Sequence, residues 1–399
     1  MKPASGDILV YAHSHYEDTP YDEWVRGQDV RLWLIVSAER FPEYAHMPRV
    51  KAFERYRTNP EVDRAVWELA RQVPLAAVIA RSEADILRAG RLREVLGIPG
   101  QDWKSAVAFR DKVEMKRMLA AGGVRVPAFR EIASTFDLLD FVRAHGYPVV
   151  VKPRDGSGSA DTHVVRDHAD LDELLSRDLP HATQVEEFVE GEMYIIDGLV
   201  VDREIVLACP SRYVNDCLSF RDHGYLGSVV LAQDNPLRAR LIEYAHTVIG
   251  NLPVPRHTTF HLEVFVTPGG DLVFCEIASR TAGGMVHRSV AKATGIDYDR
   301  LWFDAQLGGS PDTAPTTSAA GVAGQVMIYP RPGKSEAMPD DPPEFVGETR
   351  VRDQVGGLPV GQDRSGDWVF SCVVTGDDEA AVEANIHAAA RWYFGAGNR

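Results

Sequence analysis

The strongest constraint in this chain is a pair of alternating runs, Thr259–Val266 and Leu272–Ala278, joined by Thr267-Pro268-Gly269-Gly270-Asp271. Both runs read as strands, and Gly269-Gly270 suits the positive φ angles of a tight two-residue hairpin loop. That loop would set Pro268 opposite Asp271, Val266 opposite Val273 and Glu263 opposite Glu276. Side chains alternate along a strand, so both carboxylates point to one face. Like charges directly opposite each other destabilise a bare sheet. The pair therefore asks for a cation, a shared proton or a basic neighbour, and Arg280 lies four residues on. A bound Mg²⁺ fits this demand.

At 399 residues the chain exceeds one typical core, so two or three domains are expected. The first part alternates buried strands (Ile8–Ala12, Arg31–Ser37, Leu75–Ala80) with amphipathic segments. Val62, Ala65, Val66, Leu69, Ala70 and Val73 share one helical face, and Ala84–Leu96 is a second helix stopped by Gly97 and Pro99. This alternation predicts a parallel, Rossmann-like sheet. No GxGxxG opens a helix there, so nucleotide binding by this part is not indicated, and Met47–Pro60 shows no assignable period. Helices follow at Asp111–Ala121 and Thr135–His145, with a strand start at Val126-Pro127 between them. The runs Tyr147–Pro153, His163–Val165 and Gln184–Val189 read as strands. Met193–Val200 and Glu204–Cys209 form a hairpin, and Leu237–Ile249 is a helix. Pro-rich sequence from Tyr329 to Phe345 reads as a linker before a strand (Trp368–Thr375) and a helix (Asp378–Tyr393).

The net charge of −15 argues against a general nucleic-acid or anionic-membrane surface. Cys209, Cys217, Cys275 and Cys372 lack metal-ligand spacing and read as reduced thiols. No signal peptide or membrane-length window is present, so a soluble cytoplasmic protein is expected.

Lys152 closes the Pro-Val-Val-Val run before Arg154-Asp-Gly-Ser-Gly-Ser159. A lysine beside converging loop amides suits a polyphosphate; alone, it reads more readily as a strand-end lysine reaching solvent. No Gly-Lys-Ser/Thr follows, so this is not a Walker-type loop. Lys112 begins a helix. Glu186-Glu187-Phe188-Val189-Glu190-Gly191-Glu192 offers an extended backbone for a base edge with a carboxylate near by, or simply a solvated acidic strand.

Together these segments resemble the ATP-grasp superfamily. Lys112 in Phe-Arg-Asp-Lys, Lys152 in Val-Val-Val-Lys-Pro, the Asp155–Ser159 loop, Glu187-Phe188-Val189 with Glu192, Glu263, and Glu276 in Glu-Ile-Ala-Ser-Arg280 come in family order. The resemblance runs from about residue 75 to 310 and looks most like the carboxylate–amine (L-amino acid) ligases. It implies a multidomain α/β protein: an N-terminal Rossmann-like domain (1–110), an ATP-grasp lid (111–187), a catalytic subdomain (188–328), and a linker with a small C-terminal strand–helix unit (329–399). It further implies that Lys112 and Lys152 contact ATP phosphates under a loop carrying Ser157 and Gly158. The backbone of Glu187, Phe188 and Val189 would hold adenine and Glu192 the ribose. Glu263 and Glu276 would hold Mg²⁺ (or Mn²⁺), and Arg280 would lie beside the transferred phosphoryl group. Gly283 and Gly284 would admit the acid, with His261 within reach of substrate. One position departs from the family's Glu-x-Asn: Ala278 stands where the asparagine is expected.

The implied function is an ATP-dependent ligase joining an acid and an amine through an acyl phosphate, with amino acids as small-molecule substrates; the assembly is left open by the sequence, a homodimer being one that the resemblance allows. Two alternatives are a biotin-carboxylase-like carboxylase, which would need a separate biotin carrier, and a nucleotide-binding regulator without turnover.

Overall fold

The computed structural model describes residues 5–177, 182–310, 321–330, 339, 341–352 and 364–395. The fold is mixed α/β, as expected, and its strands form three sheets among the described residues.

The N-terminal sheet contains β1 (Gly6–Ala12), β2 (Val30–Ser37), β3 (Val50–Phe53) and β4 (Leu75–Ala80), all parallel, in the order β3-β2-β1-β4. Its strands are apolar on both faces because both faces are covered. Ile8, Val10, Leu34 and Ile79 pack toward Tyr298, Trp302 and Phe303, while Leu9, Tyr11, Ile35 and Val78 pack toward Val62 and Val66. β3 lies within the Met47–Pro60 stretch, and its four residues are too few to show a period. The order reverses between β1 and β4, which opens a crevice at their carboxyl ends.

The second sheet is antiparallel: β5 (Phe129–Ile132), β6 (Val149–Pro153), β7 (His163–Val165) and β8 (Thr183–Glu187), ordered β5-β8-β6-β7. The helices Thr135–His145 and His168–Leu175 cover one face through Leu138, Phe141, Leu171 and Leu174. β5 begins at Phe129 rather than at Val126-Pro127.

The third sheet has eight strands: β9 (Glu192–Val201), β10 (Glu204–Tyr213), β11 (Tyr225–Val230), β12 (Thr258–Val266), β13 (Leu272–Ala278), β14 (Val322–Ile328), β15 (Val346–Val351) and β16 (Phe370–Gly376). They run β13-β12-β9-β10-β11-β14-β16-β15. The C-terminal strand β16 is therefore built into this sheet, and the helix Glu379–Gly395 covers it through Val382, Ile386 and Tyr393. Much of the linker expected from Tyr329 to Phe345 lies outside the described residues.

The glutamate hairpin reaches its expected pairing by another route. Its connection is closed by Thr267 N donating to Asp271 O (3.0 Å), not by a two-residue Gly-Gly loop. Val266 consequently faces Leu272, and Phe265 faces Val273. A bulge between Val264 and Glu263 then absorbs Cys275 and brings Glu263 opposite Glu276. The looser turn and the bulge cancel. Both carboxylates reach the same cavity, and Cys275 reaches it too.

Candidate active site

A cavity of about 660 Å³ is lined by residues from all three sheets. Its cationic wall starts with the helix Lys112–Ala121, whose N-cap Asp111 accepts from Val113 N (2.9 Å) and Glu114 N (3.2 Å). Capping fixes the first turn, where Lys112 is buried with its Nζ 2.7 Å from Gly156 O and 3.2 Å from Glu276 Oε2. One turn on, Lys116 is wholly buried, and its Nζ lies 2.9 Å from Glu186 Oε2. The other oxygen of Glu186 sits 2.6 Å from Lys152 Nζ.

Burial penalises every charge in this group, and the mutual attractions decide the outcome. For Lys152, burial lowers the pKa, but Glu186 outweighs it and holds the ammonium above its ordinary value. Burial prevails at Lys116, which is pushed down. Burial would raise Glu276, yet Lys112, Lys152 and Lys116 hold it at about 2. Glu276 is thus an anion in the site.

Arg280 follows β13 and donates from Nε to Glu83 Oε2 (2.6 Å) and from Nη1 to Thr281 O (3.1 Å). Glu83 also pairs with Arg110; against the cost of burial, Arg110 and Arg280 hold its carboxyl at about 2. His261 bonds Asp197 Oδ1 through Nδ1 (2.9 Å), and its Nε2 lies 3.4 Å from Glu263 Oε1. Burial lowers its pKa, but the Asp197 charge and the bonds to both carboxyl groups raise it to about 9, so this imidazole is a cation between Asp197 and Glu263. A proton-accepting role does not suit it.

Ser157 and Gly158 line the cavity, and Gly158 adopts φ +63°. Its carbonyl accepts from Ser365 N (2.8 Å), while Arg221 donates to Ser159 O (2.8 Å) and Thr162 O (3.0 Å). Glu187, Phe188 and Val189 also line the cavity, but the Glu187 amide is committed to Ala128 O (2.8 Å). Glu192, in contrast, is exposed and accepts from Tyr194 Oη (3.1 Å); it is not among the cavity-lining residues. Gly283 and Gly284 both border the cavity. Gly284 has φ +62°, and a Cβ there would approach Met327 Sδ to 2.5 Å and Gln325 Oε1 to 3.0 Å. Ala278 is buried opposite His261.

Sequence reasoning missed Lys116, Glu186, Glu83 and Gln325 as members of this group. The i, i+4 spacing of Lys112 and Lys116 was a usable signal. Gln325 is wholly buried in β14, and its Oε1 accepts from Met285 N (2.9 Å). No sequence pattern links it, or Glu83, to the site.

Among the described residues no group of three or more His, Cys, Asp or Glu side chains could hold a metal unaided. Glu263 and Glu276 nevertheless fit Mg²⁺: both supply hard carboxylate oxygens to one cavity, and Mg²⁺ commonly keeps water and phosphate as its other ligands.

A family model described as "ATP-grasp domain" matches residues 109–284. This segment is an ATP-grasp domain. It contains Lys112, Lys116, Lys152, Glu186, Glu263, Glu276 and Arg280. The chain carrying this ATP-grasp domain is similar to the L-arginine-specific L-amino acid ligase of Bacillus subtilis, 27% identical over 66% of this chain and 65% of that protein. A shorter match, 31% identical, joins 28% of this chain to 40% of the D-alanine–D-alanine ligase of Gloeobacter violaceus. The chain thus aligns with less than two thirds of the length of these curated relatives. Among solved structures, an L-amino acid ligase from Bacillus licheniformis shares the fold with a TM-score of 0.78 at 17% identity, covering 98% of both chains. A carboxyaminoimidazole ribonucleotide synthase from Aspergillus clavatus follows the same fold at 0.75 and 15% identity, covering 98% of this chain and 99% of that one. No helix among the described residues is long and apolar enough to cross a membrane.

Proposed function

We propose that this protein is an ATP-dependent carboxylate–amine ligase. One observation carries the reading: Lys112, Lys152, Glu263, Glu276 and Arg280, from separate segments, all line a single cavity. An oxygen of the acid attacks the γ-phosphorus of ATP, the bond to the β-phosphate oxygen breaks, and ADP leaves. The amine nitrogen then attacks the acyl carbon, the acyl–oxygen bond breaks, phosphate departs and the nitrogen loses a proton.

Such a transfer needs positioned charge more than covalent help. Lys112 and Lys152 would neutralise phosphate oxygens, and Arg280, oriented by Glu83, would face the transferred group. The loop bearing Ser157 and Gly158 would keep water from the acyl phosphate. Glu263 and Glu276 would hold Mg²⁺ or Mn²⁺, which when bound supplies further neutralisation of the phosphates. Glu187, Phe188 and Val189 would border the base, and Gly283, Gly284 and His261 the acid. Amino acids are the expected substrates, and a cytoplasmic reaction would have ATP at hand. Glu192, exposed and bonded to Tyr194, would have to turn inward to meet a ribose.

Phosphate release with ATP, Mg²⁺ and paired amino acids tests the reading. A particular pair should stimulate release, and hydroxylamine should trap the activated acid as a hydroxamate. Release stimulated only by bicarbonate and biotin would point to a carboxylase; tight ATP binding with no release under any condition would leave a regulator.

A further inference from the structure

The cavity extends beyond the phosphate-binding wall to the carboxyl ends of the N-terminal strands. Ser14 follows β1, and Arg81 and Glu83 follow β4, so both loops at the switch point of that sheet line it. Crevices of this kind are where open parallel sheets receive ligands.

Among the described residues, most of the cations at this end of the cavity are paired, and two are not. Arg81 is committed to Asp299 (2.6 Å) and to Ser14 Oγ (2.8 Å), and Glu83 is shared by Arg110 and Arg280. Arg57, from beyond β3, and Arg364, from the segment before β16, also line the cavity. Neither guanidinium has a carboxylate partner among the described residues. Desolvation by the crevice walls, then the charge of Arg364, press Arg57 below its ordinary pKa, while Asp85 and Glu39 oppose this more weakly. Both cations face the one cavity, in a chain with a net charge of −15.

The segment carrying Arg364 is fixed from two sides. Ser365 N donates to Gly158 O (2.8 Å), and Arg352 donates to Gly366 O while lying 5.5 Å from the Trp368 ring. Arg364 is thus held beside the glycine loop by its neighbour, with its side chain exposed to solvent. Two guanidinium groups without a carboxylate partner among the described residues, drawn from distant positions to one cavity, match a planar or tetrahedral anion.

We propose that Arg57 and Arg364 form an anion subsite for a substrate carrying a free carboxylate or phosphate away from its reacting atoms. This rests on the ligase reading and narrows its substrates to molecules with a second, non-reacting anionic group.

The experiment compares phosphate release for substrate pairs in which one partner is offered as its free carboxylate, its phosphate-bearing analogue and its neutral carboxamide. The wild-type protein should favour an anionic form through KM. Arg57→Gln and Arg364→Gln should each raise that KM about 10- to 100-fold and leave the carboxamide and the KM for ATP unchanged. Arg57→Lys should restore part of the loss, and the preferred anion identifies the carboxylate or the phosphate as the natural group. Equal loss on charged and neutral forms, or a raised KM for ATP, overturns the subsite. If the wild type releases no phosphate with any pair, the ligase reading fails separately. The subsite is then decided by calorimetric titration of the ADP-saturated protein with malonate and with inorganic phosphate. Binding lost in both glutamine variants supports it, and absent or unaltered binding overturns it.

Discussion

Glu83 Oε2 receives the Nε hydrogen of Arg280 at 2.6 Å, tying the loop after β4 to the loop after β13. The cation expected to meet the transferred phosphoryl group is therefore aimed by the N-terminal sheet. Arg280→Ala should lower phosphate release about 100- to 1,000-fold, by analogy with loss of an oxyanion donor. Glu83→Gln should lose about tenfold or more, because an unaimed guanidinium stabilises less charge. The double variant should be no slower than Arg280→Ala alone, since the two act as a unit. Fully additive losses in steady-state rates would sever that link.

Glu186 bridges Lys116 and Lys152 inside the protein. Glu186→Gln strands two ammonium groups in a poor solvent and should cost about 3–5 kcal/mol. Lys116→Met removes one buried charge while leaving the Glu186–Lys152 pair, and should cost far less. Denaturant titration of both variants checks the order. A larger loss in Lys116→Met would mean that Lys116, not Lys152, anchors the bridge.

Glu276 bonds Lys112, whereas Glu263 faces His261. Glu276→Gln should therefore raise both the Mg²⁺ requirement and the KM for ATP, while Glu263→Gln should raise chiefly the Mg²⁺ requirement. Activity should vanish with EDTA and return with Mg²⁺. Full activity after exhaustive chelation would remove the metal role of the pair.

Asp85 is buried and accepts from Tyr56 Oη (2.9 Å). Burial raises its pKa to about 6, against the lowering effects of Arg88 and Tyr56. Between the unfolded value near 4 and this folded value, the native state holds a proton that the unfolded chain has released. Stability from this group is thus fully present below about pH 4 and declines as pH rises to 6. Asp85→Asn abolishes that decline, so its stability relative to the wild type should grow by about 3 kcal/mol from pH 4 to pH 7. Parallel melting curves for the two proteins across that range would refute the shift.

Gly284 holds φ +62° against Met327 and Gln325. Gly284→Ala should cost about 1–3 kcal/mol through overpacking and raise the KM for the acid. Thermal melts and acid titrations measure both effects.

Much of the site was legible because its signals are local. Lys112 at a capped helix start, Lys152 before a glycine loop and two glutamates on facing strands each depend on short-range periodicity. The hairpin shows the limit of that reading. Its pairing matched expectation only because a longer turn and the bulge at Cys275 offset each other. Glu192 shows another limit, since the order of motifs placed it near a ribose while its side chain turns to Tyr194.

By itself the sequence determined many of the strands and helices, though not β3, β11, β14 or β15, because alternation and helical spacing act between near neighbours. Only the tertiary structure decided which charge meets which. Glu83 with Arg280, Glu186 between two lysines, and Arg57 and Arg364 on one cavity depend on separation through space and on local desolvation. Both arise when three sheets pack around one cavity, and neither is written in any single segment.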